Sequence, residues 1–245
     1  DSKWIAYTKK MANAYEVIYL YNMAEKKSYP VTTELYQSFS PSFTPCGKYL
    51  IFLSNRDFSP TMGVIDQEHI FLNTTRPYMI ILSASEPDPF TPSEKVEKKA
   101  EPAAKGKDAP APAAAGTKID IAGIMQRTIP IEGIEAGSYF RLEAVEDGCV
   151  FLSQEKPVFE NCYTVVTDTT EGTYNLVCWS FKDKKTTDGI KGINNYHLSA
   201  DRKKVVYKAG NKFGIIDAPG KGGVGDGSVD LAQAKFKIDF LEEFP

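Results

Sequence analysis

The sequence predicts an all-β chain folded as a partial β-propeller, an open arc of about four antiparallel blades interrupted by one low-complexity insertion. Three observations lead there. Short runs of β-branched and aromatic residues recur along the chain, separated by Gly, Pro, Asn, Asp and Ser, the punctuation of antiparallel strands. The 13 Tyr and 14 Phe stand against 2 Trp and 5 Met, and no long stretch shows a 3.6-residue apolar period with caps at both ends. Finally, the chain resembles itself at a spacing typical of propeller blades.

The strands are read in order from Trp4-Ile5-Ala6-Tyr7, Val17-Ile18-Tyr19-Leu20-Tyr21 and Tyr49-Leu50-Ile51-Phe52-Leu53. After residue 130 come Cys149-Val150-Phe151-Leu152, Tyr174-Asn175-Leu176-Val177-Cys178-Trp179, Val205-Val206-Tyr207 and Phe213-Gly214-Ile215-Ile216. Ile119 to Gln126 is read as one short helical turn. The self-similarity is sharpest where Phe43-Thr44-Pro45-Cys46-Gly47-Lys48-Tyr49-Leu50-Ile51-Phe52 aligns without a gap on Leu198-Ser199-Ala200-Asp201-Arg202-Lys203-Lys204-Val205-Val206-Tyr207. Asp1-Ser2-Lys3-Trp4 is the same unit entered at its turn, 45 residues ahead of Cys46. A weaker copy spans Phe140 to Phe151. The units are placed at 1–38, 39–92, 117–192 and 193–241. The first has no opening strand, and the expectation is of a piece of a longer polypeptide, in which apolar side chains such as Trp4, Tyr7 and Val205 or Val206 face outward at the ends of the arc.

Residues 93–116 (SEKVEKKAEPAAKGKDAPAPAAAG) hold eight Ala, five Lys, four acids and three Pro without one aromatic. Such a stretch cannot bury enough apolar surface to offset its ordering entropy, so it is expected to be a disordered insertion inside one domain covering 1–245.

Composition excludes several functions. Twenty-nine basic and 32 acidic side chains leave a net charge of −3, so neither nucleic acid nor an anionic membrane finds a basic stripe to bind. No run approaches the roughly 18 apolar residues of a membrane span. Cys46, Cys149, Cys162 and Cys178 form no CxxC pair, which removes the usual thiolate metal sites. Gly220-Lys221-Gly222-Gly223-Val224-Gly225 fits a dinucleotide fingerprint, but Asp226-Gly227-Ser228 continues the loop where a helix would have to start, so a hairpin loop is expected and no cofactor. The two histidines, His69 and His197, lie outside any nucleophile elbow or zinc-protease helix, and no catalytic residue and no metal ligand is assigned.

The run Ser38-Phe39-Ser40-Pro41-Ser42-Phe43-Thr44-Pro45-Cys46-Gly47-Lys48-Tyr49-Leu50-Ile51-Phe52-Leu53-Ser54-Asn55-Arg56-Asp57-Phe58 resembles the blade motif of tricorn-type proteases, with Cys46 standing where the family places the turn Asp. The resemblance extends over most of the chain and is strongest over 1–92. It implies the later blades of a second β-propeller in a large serine peptidase. The partners it implies are peptides, together with a PDZ-like module and a peptidase core on the same polypeptide. The segment itself would be catalytically silent, gating or scaffolding peptide access. A TolB-like periplasmic binding propeller and the propeller of a prolyl-oligopeptidase-like enzyme are the alternatives. A cytoplasmic location is expected, with the periplasm as its alternative, and homo-oligomers are a further expectation from the exposed ends of the arc. One residue is singled out as a peptide contact: Arg56 follows a strand end, where binding loops gather, and its guanidinium suits a carboxylate. A structural role, pairing with Asp57 or a neighbouring blade to hold the loop, is favoured over that contact, because loop charges are usually solvated or locally paired.

Overall fold

The computed structural model describes residues 3–62, 69–91, 117–154 and 173–231. Over those residues the backbone forms four antiparallel sheets and one two-stranded ribbon. The first sheet holds β1 (Trp4–Lys10), β2 (Glu16–Asn22) and β3 (Lys27–Pro30) in that order. The second begins with β4 (Gln37–Phe43) and β5 (Tyr49–Asn55), from which the ribbon β6 (Pro60–Met62) and β7 (His69–Phe71) projects, and continues with β8 (Thr75–Ile81) and β9 (Thr128–Pro130). β10 (Ser138–Val145), β11 (Gly148–Gln154), β12 (Asn175–Ser180) and β13 (Lys185–Asp188) make the third sheet. β14 (Asn195–Leu198), β15 (Lys204–Ala209), β16 (Lys212–Asp217) and β17 (Ser228–Val229) make the fourth.

Each sheet is packed against the next, face to face, so the cores lie between blades. Side chains alternate across a strand, and β5 shows the consequence. Leu50 and Phe52 turn toward the first sheet and meet Ile18 and Leu20, while Ile51 and Leu53 turn toward the third and meet Phe151 and Trp179. A strand covered on both faces reads as an unbroken apolar run. Between the third and fourth sheets, Val150, Leu152 and Leu176 pack on Tyr196, Val205 and Tyr207.

The first strands β4, β10 and β14 lie side by side. The Ala144 amide donates to Ser42 Oγ (3.0 Å), and Arg141 Nη1 donates to Asn195 Oδ1 (2.5 Å). Both β4 and β10 carry a bulge at matching positions, between Phe39 and Ser42 and between Phe140 and Glu143. Ser40 (φ 52°) and Arg141 (φ 51°) sit in these bulges in the left-handed region, where the extra residue re-aims the strand.

The turns repeat as the self-alignment predicts. The Tyr49 amide donates to Thr44 Oγ1 (3.2 Å) in the second blade, and the Lys204 amide donates to Ser199 Oγ (3.0 Å) in the fourth. In the third blade the turn is shorter and tighter. A Cβ on Gly148 (φ 150°) would fall 1.8 Å from the Trp179 carbonyl oxygen, so only glycine fits.

Three expectations need correction. Residues 117–130 belong to the second blade, not to the third. β8 requires an outer neighbour and finds it in β9, in the register Tyr78↔Pro130, Met79↔Ile129 and Ile80↔Thr128. Ile119, Ile121, Ile124 and Met125 pack into the core between sheets one and two. Residues 93–116, which lie outside the described residues, therefore interrupt the connection from β8 to β9. The helical turn is confined to Met125–Arg127 and is a 3₁₀ turn. At the ends of the arc, Val206 faces outward, as one of the two expected alternatives, and Val205 faces the core. Trp4 packs at the core's margin and Tyr7 is half-buried against Tyr19, whereas Ile5 and Ile215 are the exposed neighbours. Alternation along the strand decides which neighbour is exposed.

Candidate functional site

Arg56 follows the last residue of β5, on the same side of the strand as Phe52 and Ser54. Its guanidinium lies 4.5 Å from the ring centroid of Tyr78, 5.3 Å from Tyr36 and 5.6 Å from Phe52. Nε donates to Ser54 Oγ (2.9 Å) and Nη2 to Ser38 Oγ (3.3 Å). Ser38 and Ser54 are directly opposite in the β4–β5 register, both fully buried, and bonded to each other at 3.0 Å. The two serines thus anchor one edge of the guanidinium, and three rings hold its faces.

Asp57 is not the partner of Arg56. It turns toward Arg76 (3.9 Å) and accepts from Tyr78 Oη (3.4 Å). Burial lowers the Arg56 pKa from its ordinary value, because aromatic and hydroxyl neighbours replace water without supplying a full negative charge. Burial raises the Tyr78 pKa, with Asp57 adding to the shift. Beside the cation the surface is aromatic. Phe58 (57% exposed) packs on Tyr36 (6.1 Å between centroids) and edge-on against Phe71 (5.9 Å), which is 52% exposed. His69 stacks on Phe71 at 6.5 Å. This end of the second blade presents a half-buried guanidinium next to an exposed aromatic ledge. Such a surface can hold an anionic group alongside an apolar one.

A second polar cluster lies where the first strands meet. Arg141 Nη2 is 3.0 Å from Nε2 of His197, and Tyr196 Oη donates to the Arg141 and Val150 carbonyls. Partial burial raises the Glu143 pKa, and Arg141, His197 and Arg202 pull it back. Arg202 Nη1 donates to the Phe43 carbonyl (2.7 Å) and the Ala144 carbonyl (3.1 Å), joining the fourth blade to the two before it.

The two histidines are thus far apart in role, one on the aromatic ledge and one against Arg141. The glycine-rich loop closes the β16–β17 hairpin. Its Asp226 accepts from the Gly223 amide (2.8 Å), and Tyr207 Oη accepts from the Gly225 amide (2.9 Å). Among the described residues no three potential metal ligands come together, and no helix is long and apolar enough to cross a membrane. The sequence reading singled out Arg56 but missed Tyr36, Tyr78 and the Ser38–Ser54 pair. The serines could have been found by pairing the two halves of the Ser38–Phe58 run across its turn.

Stacked antiparallel sheets, one of three strands and three of four among the described residues, joined by matching turns define a β-propeller arc with a cation-bearing loop end. A family model described as "Tricorn protease second beta propeller domain" matches residues 1–219, and the chain belongs to that family. It is 32% identical over 156 residues to tricorn protease homolog 1 of Streptomyces coelicolor, covering 62% of this chain and 14% of that protein. It is 25% identical over 213 residues to the tricorn protease of Thermoplasma volcanium, covering 84% of this chain and 19% of that one. A crystal structure of the tricorn protease superposes with a TM-score of 0.67 at 22% identity, over 89% of this chain and 20% of that chain. The chain therefore spans a fifth or less of the length of each of these three.

Proposed function

We propose that this chain is the non-catalytic propeller segment of a tricorn-like serine peptidase. It gates or scaffolds peptide access to a peptidase core that lies, with a PDZ-like module, elsewhere on the same polypeptide, in the cytoplasm. Arg56 is the peptide contact. The observation that carries this reading is the setting of that residue, a partly desolvated guanidinium held by rings and hydroxyls at a strand end. Among the described residues it has no carboxylate partner, so an acidic group on a passing peptide gains a charge-assisted hydrogen bond there. The exposed Phe58 and Phe71 rings beside it offer apolar contact in the same encounter.

The test is steady-state hydrolysis by the full-length peptidase and its Arg56→Gln variant, using long acidic peptides and a short neutral one. The variant is expected to lose about tenfold in kcat/KM on the acidic peptides and to keep its activity on the neutral one. Equal losses on both, or no loss on either, would refute the contact. Peptide cleavage by the purified 245-residue chain that disappears in His69→Ala or His197→Ala would overturn the non-catalytic reading.

A further inference from the structure

A cleft of about 570 Å³ opens between the third and fourth blades, on the face that carries the β10–β11 and β14–β15 turns, at the strand ends opposite to Arg56. That volume falls within the range of sites for small ligands. Its floor is apolar, built from Val145, Cys178 and Trp179. Cys178 donates its thiol to the Pro219 carbonyl (3.0 Å), and burial pushes its pKa up to about 11, so the floor stays neutral.

The two walls carry opposite charge. The third blade contributes Glu146, Asp147 and Asp183, against one cation, Lys185. The fourth contributes Arg202, Lys203 and Lys221, and its Asp217 is engaged by Lys204 at 2.6 Å. Among the described residues no ion pair spans the cleft. An acidic wall facing a basic one across an apolar floor is complementary to a molecule with a cation at one end and an anion at the other. Stacked sheets are ~10 Å apart, and an extended chain spans at most ~3.5 Å per residue, so two or three residues bridge the gap.

We propose that this cleft binds short unblocked peptides, with the terminal ammonium against Glu146 and Asp183 and the terminal carboxylate against Lys203 and Lys221. The site is separate from Arg56 and does not depend on the gating role proposed for it. It distinguishes a released fragment, which has both termini close together, from the interior of a longer chain.

The experiment is calorimetric titration of the 245-residue chain with trialanine, its N-acetylated form and its C-terminal amide. Trialanine is expected to bind with a Kd on the order of 1 mM, and blocking either end is expected to weaken binding about tenfold. In a Glu146→Gln/Asp183→Asn variant, acetylation should cease to matter while amidation still does. In a Lys203→Gln/Lys221→Gln variant the reverse should hold. Equal binding of all three peptides to the unmodified protein, or no saturation up to roughly 50 mM trialanine, would overturn the proposal. So would wall variants, checked by thermal melting to be folded, that keep both preferences.

Discussion

Arg202 occupies the turn position that Gly47 fills in the second blade, at φ 58° against φ 70°. A non-glycine residue in that conformation costs roughly 1–2 kcal/mol. The offset comes from its guanidinium, which donates to Phe43 and Ala144 and ties three blades together where their first strands meet. Replacing Arg202 by Met keeps the aliphatic stem and removes both bonds. Hydrogen bonds to charged groups contribute about 1.5–3 kcal/mol each, and water reaching this partly exposed turn recovers some of that, which leaves an expected loss of about 2–4 kcal/mol. Arg202→Gly loses the same bonds but relieves the backbone, less the cost of a more flexible unfolded chain, and should be about 0.5–1 kcal/mol more stable than Arg202→Met. Lys204→Met is the control, since it breaks an exposed ion pair with Asp217 and should cost no more than about 0.5 kcal/mol. Urea unfolding followed by the fluorescence of Trp4 and Trp179, at low protein concentration, gives all three values. Arg202→Met within about 0.5 kcal/mol of the parent chain, or Arg202→Gly less stable than Arg202→Met, would show that the Arg202 guanidinium does not tie the blades against backbone strain.

Thiol alkylation followed by mass spectrometry should modify Cys46, which is exposed, and spare Cys149 and Cys178, whose pKa values burial raises. Rapid labelling of Cys149 in the folded chain would contradict the packing between blades two and three. Glu143→Gln should stabilise the chain increasingly as pH rises. A raised carboxyl pKa means that the protonated form is favoured in the folded state, an advantage fully present below the ordinary carboxylate range and lost as pH climbs through the raised value. A variant that gains stability toward acid instead would reverse the sign. Sedimentation velocity over a concentration series should show the 245-residue chain associating, because Ile5 lies exposed on the outer face of one end blade and Val206 and Ile215 on that of the other. A single monomeric species at every concentration would remove that expectation.

The legible part of the fold is the part written locally. Strand β5 was readable because a strand covered on both faces is continuously apolar, and the turns were readable because Thr44 and Ser199 close equivalent loops with the same hydroxyl-to-amide bond. Strand β9 was not readable as part of the second blade. Thr128-Ile129-Pro130 is three residues long and stands 47 positions after the end of β8, since 128 − 81 = 47. Only pairing in space assigns it to β8, and the low-complexity stretch between them looked like a boundary. Val205 and Val206 show the same limit at the scale of one residue. Both are β-branched and adjacent, and which one faces the core depends on which face of the strand meets the next blade.

The site divides along the same line. Arg56 was visible because a charged residue directly after an apolar strand marks a loop end. Its surroundings were hidden because Tyr36 and Ser38 precede the turn, Tyr78 follows the ribbon, and nothing in their spacing indicates that all three converge. Arg202 makes the case more strongly, since its acceptor at Phe43 is 159 residues away. In the alignment it reads as a conservative loss of glycine at a turn, and in the fold it is a cross-blade tie maintained against backbone strain. A propeller places residues that carry charge between blades at turns and strand ends, where each blade supplies only part of the environment. The repeat that makes the architecture legible therefore conceals the site. Departures from the repeat, such as Arg202 in place of Gly47, are the positions at which a sequence of this kind points to its function.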